Sequence, residues 1–225
     1  MQVRFNLEKD GPLTLWETPD PKDSYIIGAD VSEGVVDGDY SCAQVISRNK
    51  FKQVACWHGK IEPYEFGRAL FGLGIYFNTG LLAVERNSAG VTTVDCLRKM
   101  DYPNLFKMVR FDQGMQDVMD RFGWITNVHS RGLMLGVLRE VVRENSLILS
   151  DPDTLAEMKT FVKNRDTEKM EASAGNHDDR LMALGIAAYL HRTLSYAGAA
   201  TESRLAVMFD RDVGLYETKL GRGGY

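Results

Sequence analysis

The spacing of apolar residues changes once along this chain, and that change constrains the fold more than any other feature. Up to residue 59 the apolar stretches are short and close together: "YIIGAD" (25–30), "SCAQVIS" (41–47) and "FKQVACWHG" (51–59). The links between them are too short for a helix, and "GVVDGDY" (34–40) is a Gly/Asp-rich turn, so the runs predict an antiparallel three-strand meander. From residue 63 the period lengthens. "PYEFGRALFGLGIYFN" (63–78) has helical spacing, "LLAVE" (81–85) reads as a buried strand, "GVTTVDCLRKM" (90–100) is helical and "NLFKMV" (104–109) is strand-like. Strands separated by helices favour parallel pairing. An α/β fold is therefore expected, with a mixed central sheet (the antiparallel meander, then parallel strands) flanked by helices.

Further helices are predicted at about 130–145 and at 152–164, the second opened by "SDPDTLAEM" with a capping residue and an early proline. "SLILS" (146–150) is a candidate short strand, and 165–176 reads as an exposed loop or hairpin before a last helix. Residues 1–24, with an Asp10-Gly11 turn and the stiffening Pro19 and Pro21, read as a linker or hairpin leading into a domain at 25–195; 196–225 reads as a mobile tail. A chain of 225 residues with 44% apolar content can bury one sizeable core. The net charge of −4 does not advertise a globally basic nucleic-acid binder, although 27 Lys and Arg can still gather on one face. Three widely spaced cysteines without a C-x-x-C pair fit a reducing cytoplasm. No signal-like leader opens the chain, and its longest apolar stretches are too short to cross a bilayer, so a soluble protein with no membrane partner is expected.

Several acids stand where packing alone would not put them. Asp30 closes "YIIGAD" and Glu85 closes "LLAVE", each after a run that belongs inside a sheet. A carboxylate there faces a desolvation cost of several kcal/mol unless it is paired or reaches water. In "GNHDDRLMALGIAAYL" (175–190), helical spacing aligns Asp178 with Leu181, Met182, Gly185 and Tyr189, and Asp179 with Met182, Ala183, Ile186 and Leu190. Both acids then edge the buried face. The alternative is that Asn176, Asp178 and Asp179 merely start a helix, as caps and first-turn acids do.

The joint layout, a meander whose first strand ends in Asp, a later strand ending in Glu and a late helix opened by Asp-Asp, resembles the acid layout of the RNase H-like fold. That resemblance implies that the two acid-bearing strands lie side by side and that the last helix crosses the sheet, so that the acids meet. Converging carboxylates repel, and divalent cations offset the repulsion. An all-oxygen donor set suits Mg²⁺ or Mn²⁺, and two such ions about 3.5–4 Å apart can activate water and stabilise the leaving oxygen of a phosphodiester. The four histidines have no zinc-like spacing.

"GPLTLWETPDPKDSYIIGADVSEGVVDGDYSCAQVI", "LLAVERNSAGVTTVDCLRKM", "FGWITN", "LREVVRENSLILSDPDTLAEMKTFVKN" and "EASAGNHDDRLMALGIAAYL" together resemble the nuclease domain of the large terminase subunit of tailed bacteriophages, over residues 10–192. The resemblance implies an RNase H-like, metal-dependent endonuclease that cuts concatemeric viral DNA during packaging. It also implies Asp30, Glu85, Asp178 and Asp179 as ligands of two divalent cations, Mg²⁺ or Mn²⁺. Many members of the family carry Asp where this chain has Glu85. Asp37 and Asp39 are weaker candidates, since turns favour Asp in any case.

Arg86 and Arg180 adjoin the implied ligands and are candidates to hold phosphates; Lys163, Arg165 and Lys169 bracket the loop before the last helix and could form a flap. Each could equally belong to a solvated charged face. The implied partners are double-stranded DNA, an ATPase domain of the same full-length protein, the portal and the small terminase subunit, in the host bacterial cytoplasm. No packaging ATPase can be assigned to these residues, because Gly59-Lys60 is followed by Ile61 and lacks the upstream glycine of a phosphate loop. The chain is accordingly read as an excised domain or a separate nuclease polypeptide.

Three other readings stay open at the level of sequence. "GADVSEGVVDGDYS" also reads as the phosphate hairpin of an actin-like ATPase, but that fold needs a second copy and no repeat is present. Resolvases and RNases H share the core fold. A non-catalytic docking module for portal or small subunit is the third.

Overall fold

The computed structural model describes residues 10–35, 38–111, 118–163, 170–172, 177–194, 207–210 and 214–217. The meander forms: β2 (Tyr25–Asp30), β3 (Ser41–Ser47) and β4 (Lys52–Gly59) are antiparallel neighbours. β1 (Leu13–Leu15), in the stretch read as a lead-in, pairs antiparallel with β4. After α1 (Pro63–Tyr76), which stops where Asn78 and Thr79 take φ of 54° and 57°, β5 (Leu81–Val84) enters beside β2 in parallel. The resulting order β1-β4-β3-β2-β5 makes the strand before Asp30 and the strand before Glu85 direct neighbours.

Strand residues alternate between two helical layers. Ile27 and Ala29 of β2 and Val84 of β5 pack with Phe66 and Leu70 of α1 and Val94 and Leu97 of α2 (Ser88–Lys99). Ile26 and Ala83 face the other way, into a core built by α3 (Val128–Arg143) and α5 (Asp179–Thr193) with Met134, Leu138, Leu184 and Ala187. Cover on both faces explains why these strands read as nearly unbroken apolar runs rather than as alternating ones.

Three expectations need adjustment. The strand-like run at 104–109 is split: Asn104 and Phe106 pair with Leu82 at the edge of β5, and β6 (Lys107–Phe111) then leaves to pair with β7 (Val118–Phe122). The chain returns at Trp124, whose N–H donates to the Val84 carbonyl at 2.7 Å, so two short segments share the edge of one four-residue strand. The helix expected to 164 is α4 (Pro152–Thr160), and it gives way to β8 (Phe161–Lys163), which pairs with β9 (Met170–Ala172) as a hairpin. Within the stretch read as a tail, β10 (Val207–Asp210) pairs with β6 in parallel and with β11 (Gly214–Glu217) antiparallel. Among the described residues no helix is long and apolar enough to cross a membrane.

Candidate functional site

The register of β2 and β5 brings the first two acids together. Ala29 pairs with Val84, the Glu85 N–H donates to the Ala29 carbonyl at 2.7 Å, and Asp30 and Glu85 follow as adjacent strand ends. By alternation from Ile26 and Ala83, both side chains point to the face that α5 covers. Asn87 clamps the two strand ends: its Nδ2 donates to the Val31 carbonyl at 2.8 Å, and its Oδ1 caps α2 by accepting from the Gly90 N–H at 2.7 Å. A Cβ on Gly90 would stand 1.9 Å from the Glu85 carbonyl oxygen, so only glycine lets the helix start so close to the strand end. Glu85 is buried. Burial, a hydrogen bond with Glu85 and the charges of Glu85, Asp179 and Asp178 hold the Asp30 carboxyl well above the usual carboxylate range.

α5 delivers the other two acids. It lies almost directly on β2 because Gly28 has no side chain: a Cβ there would come within 2.1 Å of the Ala183 carbonyl and 2.8 Å of the Ala187 nitrogen. Its first turn therefore reaches the ends of β2 and β5. Asp179, 6% exposed, accepts a hydrogen bond from the Tyr40 N–H at 3.4 Å. Its carboxyl is pushed up to about 7, chiefly by burial and then by the charges of Asp39 and Glu157, while the Tyr40 N–H and His177 pull the other way. Asp178 occupies the N-cap position yet makes no side-chain cap bond; it pairs with the Arg131 guanidinium, Nη2 to Oδ2 at 3.1 Å. Asp178 and Asp179 thus stand at the cap and first-turn positions of a helix start, but Asp178 makes no side-chain cap bond. The N–H groups that a cap would receive, those of Arg180 and Leu181, donate instead to Oε2 of Glu157 at 2.9 and 3.2 Å.

The candidate DNA contacts fare unevenly. Arg180 is a structural clamp rather than a free phosphate ligand. Its guanidinium pairs with Asp151, Asp153 and Glu157 at 3.3, 3.2 and 3.1 Å, and Nη1 lies 3.1 Å from His58 Nε2. Burial and the neighbouring Arg180 charge lower the His58 pKa to about 4, so its ring is neutral and accepts that bond. Arg86 follows Glu85 directly, is half-buried, and has no carboxylate partner among the described residues. Lys163 lies on β8 opposite Met170. Arg165, Lys169 and Asp37 lie outside the described residues. Asp39 is exposed and pairs with His177 Nδ1 at 3.3 Å.

Sequence reasoning missed Arg131, Tyr40, Asn87 and Glu157. Their roles depend on partners up to 139 positions away, which no local pattern carries. Gly28 did leave a signal, as a lone glycine inside a strand run.

Chemically, the corner is a set of hard oxygen donors with two carboxyls held above their ordinary range, the electrostatic condition that a divalent cation relieves. Among the described residues no three Asp, Glu, His or Cys side chains close around a single ion position, and Asp178 is turned to Arg131. The all-oxygen donor chemistry of these side chains fits Mg²⁺ or Mn²⁺.

Neither a protein-family model nor a curated protein matches the chain. Solved structures do. The large terminase nuclease from thermophilic phage G20c, determined with bound magnesium, is 17% identical and superposes with a TM-score of 0.63, over 83% of this chain and 91% of that one. Its cobalt-bound form gives the same TM-score of 0.63. The Thermus phage P74-26 large terminase nuclease domain is likewise 17% identical, with a TM-score of 0.60 over 86% and 93% of the two chains. The strand order, the placement of the last helix and these superpositions agree: this chain has the RNase H-like fold of the large terminase nuclease domains.

Proposed function

We propose that this chain is the metal-dependent endonuclease domain of a viral DNA-packaging terminase, cleaving concatemeric double-stranded DNA by two-metal phosphodiester hydrolysis. One observation carries the reading: Asp30 and Glu85 end adjacent parallel strands on the face that α5 covers, and the first turn of α5 places Asp178 and Asp179 close enough to raise the Asp30 carboxyl. Support also comes from the G20c terminase nuclease, which has this fold and was determined with bound magnesium and with bound cobalt.

Asp30, Glu85 and Asp179 would hold the cations directly, and Asp178, paired with Arg131, would stand beside them as an outer partner. When bound, Mg²⁺ or Mn²⁺ would supply an activated water and charge stabilisation at the leaving oxygen. The chain supplies the rest. Burial of Glu85 and Asp179 keeps competing water off the ligands, Asn87 fixes the spacing of the two strand ends, and Arg86 is placed to hold a phosphate flanking the scissile one. Lys163, Arg165 and Lys169 remain candidates for a flap against the duplex. The partners in this reading are double-stranded DNA, the ATPase domain of the full-length protein, the portal and the small terminase subunit, in the host bacterial cytoplasm.

Conversion of supercoiled plasmid to nicked and linear forms tests the proposal. Wild type with Mn²⁺ should cut and with EDTA should not, while Asp30→Asn and Glu85→Gln should bind DNA without cutting it. A wild type inert with Mn²⁺ and Mg²⁺, or an Asp30→Asn variant that cuts as fast as wild type, would falsify it.

A further inference from the structure

The α5 N-terminus has an unusual division of labour. In an ordinary helix start, the N-cap side chain accepts from the N–H of the second or third helical residue. Here those donors, Arg180 and Leu181, are taken by the Glu157 carboxylate from α4, while Asp178, at the cap position, makes no such bond. The same carboxylate grips the Arg180 side chain through Oε1 at 3.1 Å. Resting on the nuclease reading above, we infer that Glu157 is a positioning residue for the acid cluster. By capping α5 from outside, it frees Asp178 and Asp179 from capping and fixes where the first turn of α5 stands relative to Asp30 and Glu85.

The support under Glu157 is itself built for rigidity. α4 is tied to the sheet by a buried polar network. Gln53 Nε2 donates to Gln44 Oε1 at 2.7 Å, and Gln44 Nε2 donates to Thr154 Oγ1 at 2.9 Å and to the Arg180 carbonyl at 3.4 Å. Thr154 Oγ1 donates to Asp151 Oδ2 at 2.7 Å, and the Ser150 and Asp151 N–H groups both donate to Gln53 Oε1 at 2.8 Å. Gln44, Gln53, Asp151 and Thr154 are all buried. A fully satisfied network of this kind holds one geometry, and here it carries the sheet's position through α4 to the start of α5. Glu157 thus links two elements whose relative placement decides whether the acids converge.

The test uses the full 225-residue chain, MnCl₂ as the probe, and the variants Glu157→Gln and Glu157→Ala. Glutamine keeps an oxygen that can accept from both N–H groups; alanine removes it. In Glu157→Ala, amide hydrogen exchange at Arg180 and Leu181 should quicken, and Mn²⁺ affinity measured by calorimetry on folded protein should fall by about 10–100-fold, the range for loss of a group that orients a ligand. Glu157→Gln should keep slow exchange and most of the affinity. A purely stabilising role predicts a lower Tm with unchanged Mn²⁺ affinity, and that result overturns the inference, as does unchanged exchange in Glu157→Ala. A wild type that binds no Mn²⁺ overturns the metal reading itself, and the positioning role with it, whatever the amides do.

Discussion

Asp178 and Asp179 are neighbours in sequence with different environments. Adjacent helical residues diverge by about 100°, which sends Asp179 inward to the Tyr40 N–H and leaves Asp178 beside Arg131. The two asparagine variants should therefore differ. Asp179→Asn should lower the initial rate of Mn²⁺-dependent plasmid cleavage by more than about 100-fold, whereas Asp178→Asn should stay within the roughly 10–100-fold cost of an outer partner. Equal losses would show that Asp178 leaves Arg131 to become a full ligand. The sequence made Asp30 and Glu85 conspicuous, because an acid ending an apolar run is costly unless it has a purpose. It could not separate Asp178 from Asp179, since both edge the same helical face. Arg180 was misleading for a physical reason: its partners Asp153 and Glu157 sit 27 and 23 positions away on another helix, so its neighbour Asp179 was the wrong guide to its role.

At the scale of elements, the closeness of α5 to β2 is what brings the first turn of α5 to the strand ends. Gly28→Ala pushes a methyl into the Ala183 carbonyl at 2.1 Å and should destabilise the fold by about 1–3 kcal/mol, lowering Tm by roughly 2–4 °C per kcal/mol in a domain of this size. It should also weaken Mn²⁺ binding by displacing the first turn of α5. A variant with unchanged Tm and unchanged affinity would show that α5 is held off β2 by something other than this contact. The other end of α5 predicts a pH response. His191 stacks on Phe51 at 3.7 Å between ring centroids, and burial together with the Arg48 and Arg192 charges lowers its pKa from 6.5 to about 4. The folded state therefore favours the neutral ring. Its contribution to stability is fully present above pH 6.5 and is lost as pH falls toward 4, the direction for any group whose folded pKa is depressed. His191→Phe, which keeps a stacked ring without a titrating nitrogen, should lose less Tm than wild type over that interval in matched thermal melts. The types of the central strands β2 to β5 and of the five helices were legible from period, because their apolar spacing is nearly unmixed. Their ends were not: α4 stops at Thr160 because Phe161–Lys163 finds a strand partner at Met170–Ala172, a tertiary pairing that overrides the helical pattern.

For the whole molecule, the decisive feature is topological. The chain carries Asp30, Glu85 and the Asp178–Asp179 pair on elements far apart in sequence, and the order β1-β4-β3-β2-β5 with α5 laid across β2 gathers them at one corner. An α/β class and a meander followed from local spacing, and the resemblance to the RNase H-like acid layout supplied the adjacency of the two acid-bearing strands, which spacing alone does not contain. The strands β10 and β11 carried no comparable signal, since β10 pairs with β6 about a hundred residues away and β11 with β10. The repelling acids at the corner are an electrostatic cost, which in the proposed reading a divalent cation would offset. The most direct measurement is anomalous diffraction from crystals of the wild-type chain soaked in MnCl₂. The account predicts manganese peaks within coordinating distance of Asp30, Glu85 and Asp179, lost from the Asp30→Asn crystal; soaked crystals with no manganese at this corner, or with manganese bound only elsewhere, would contradict it.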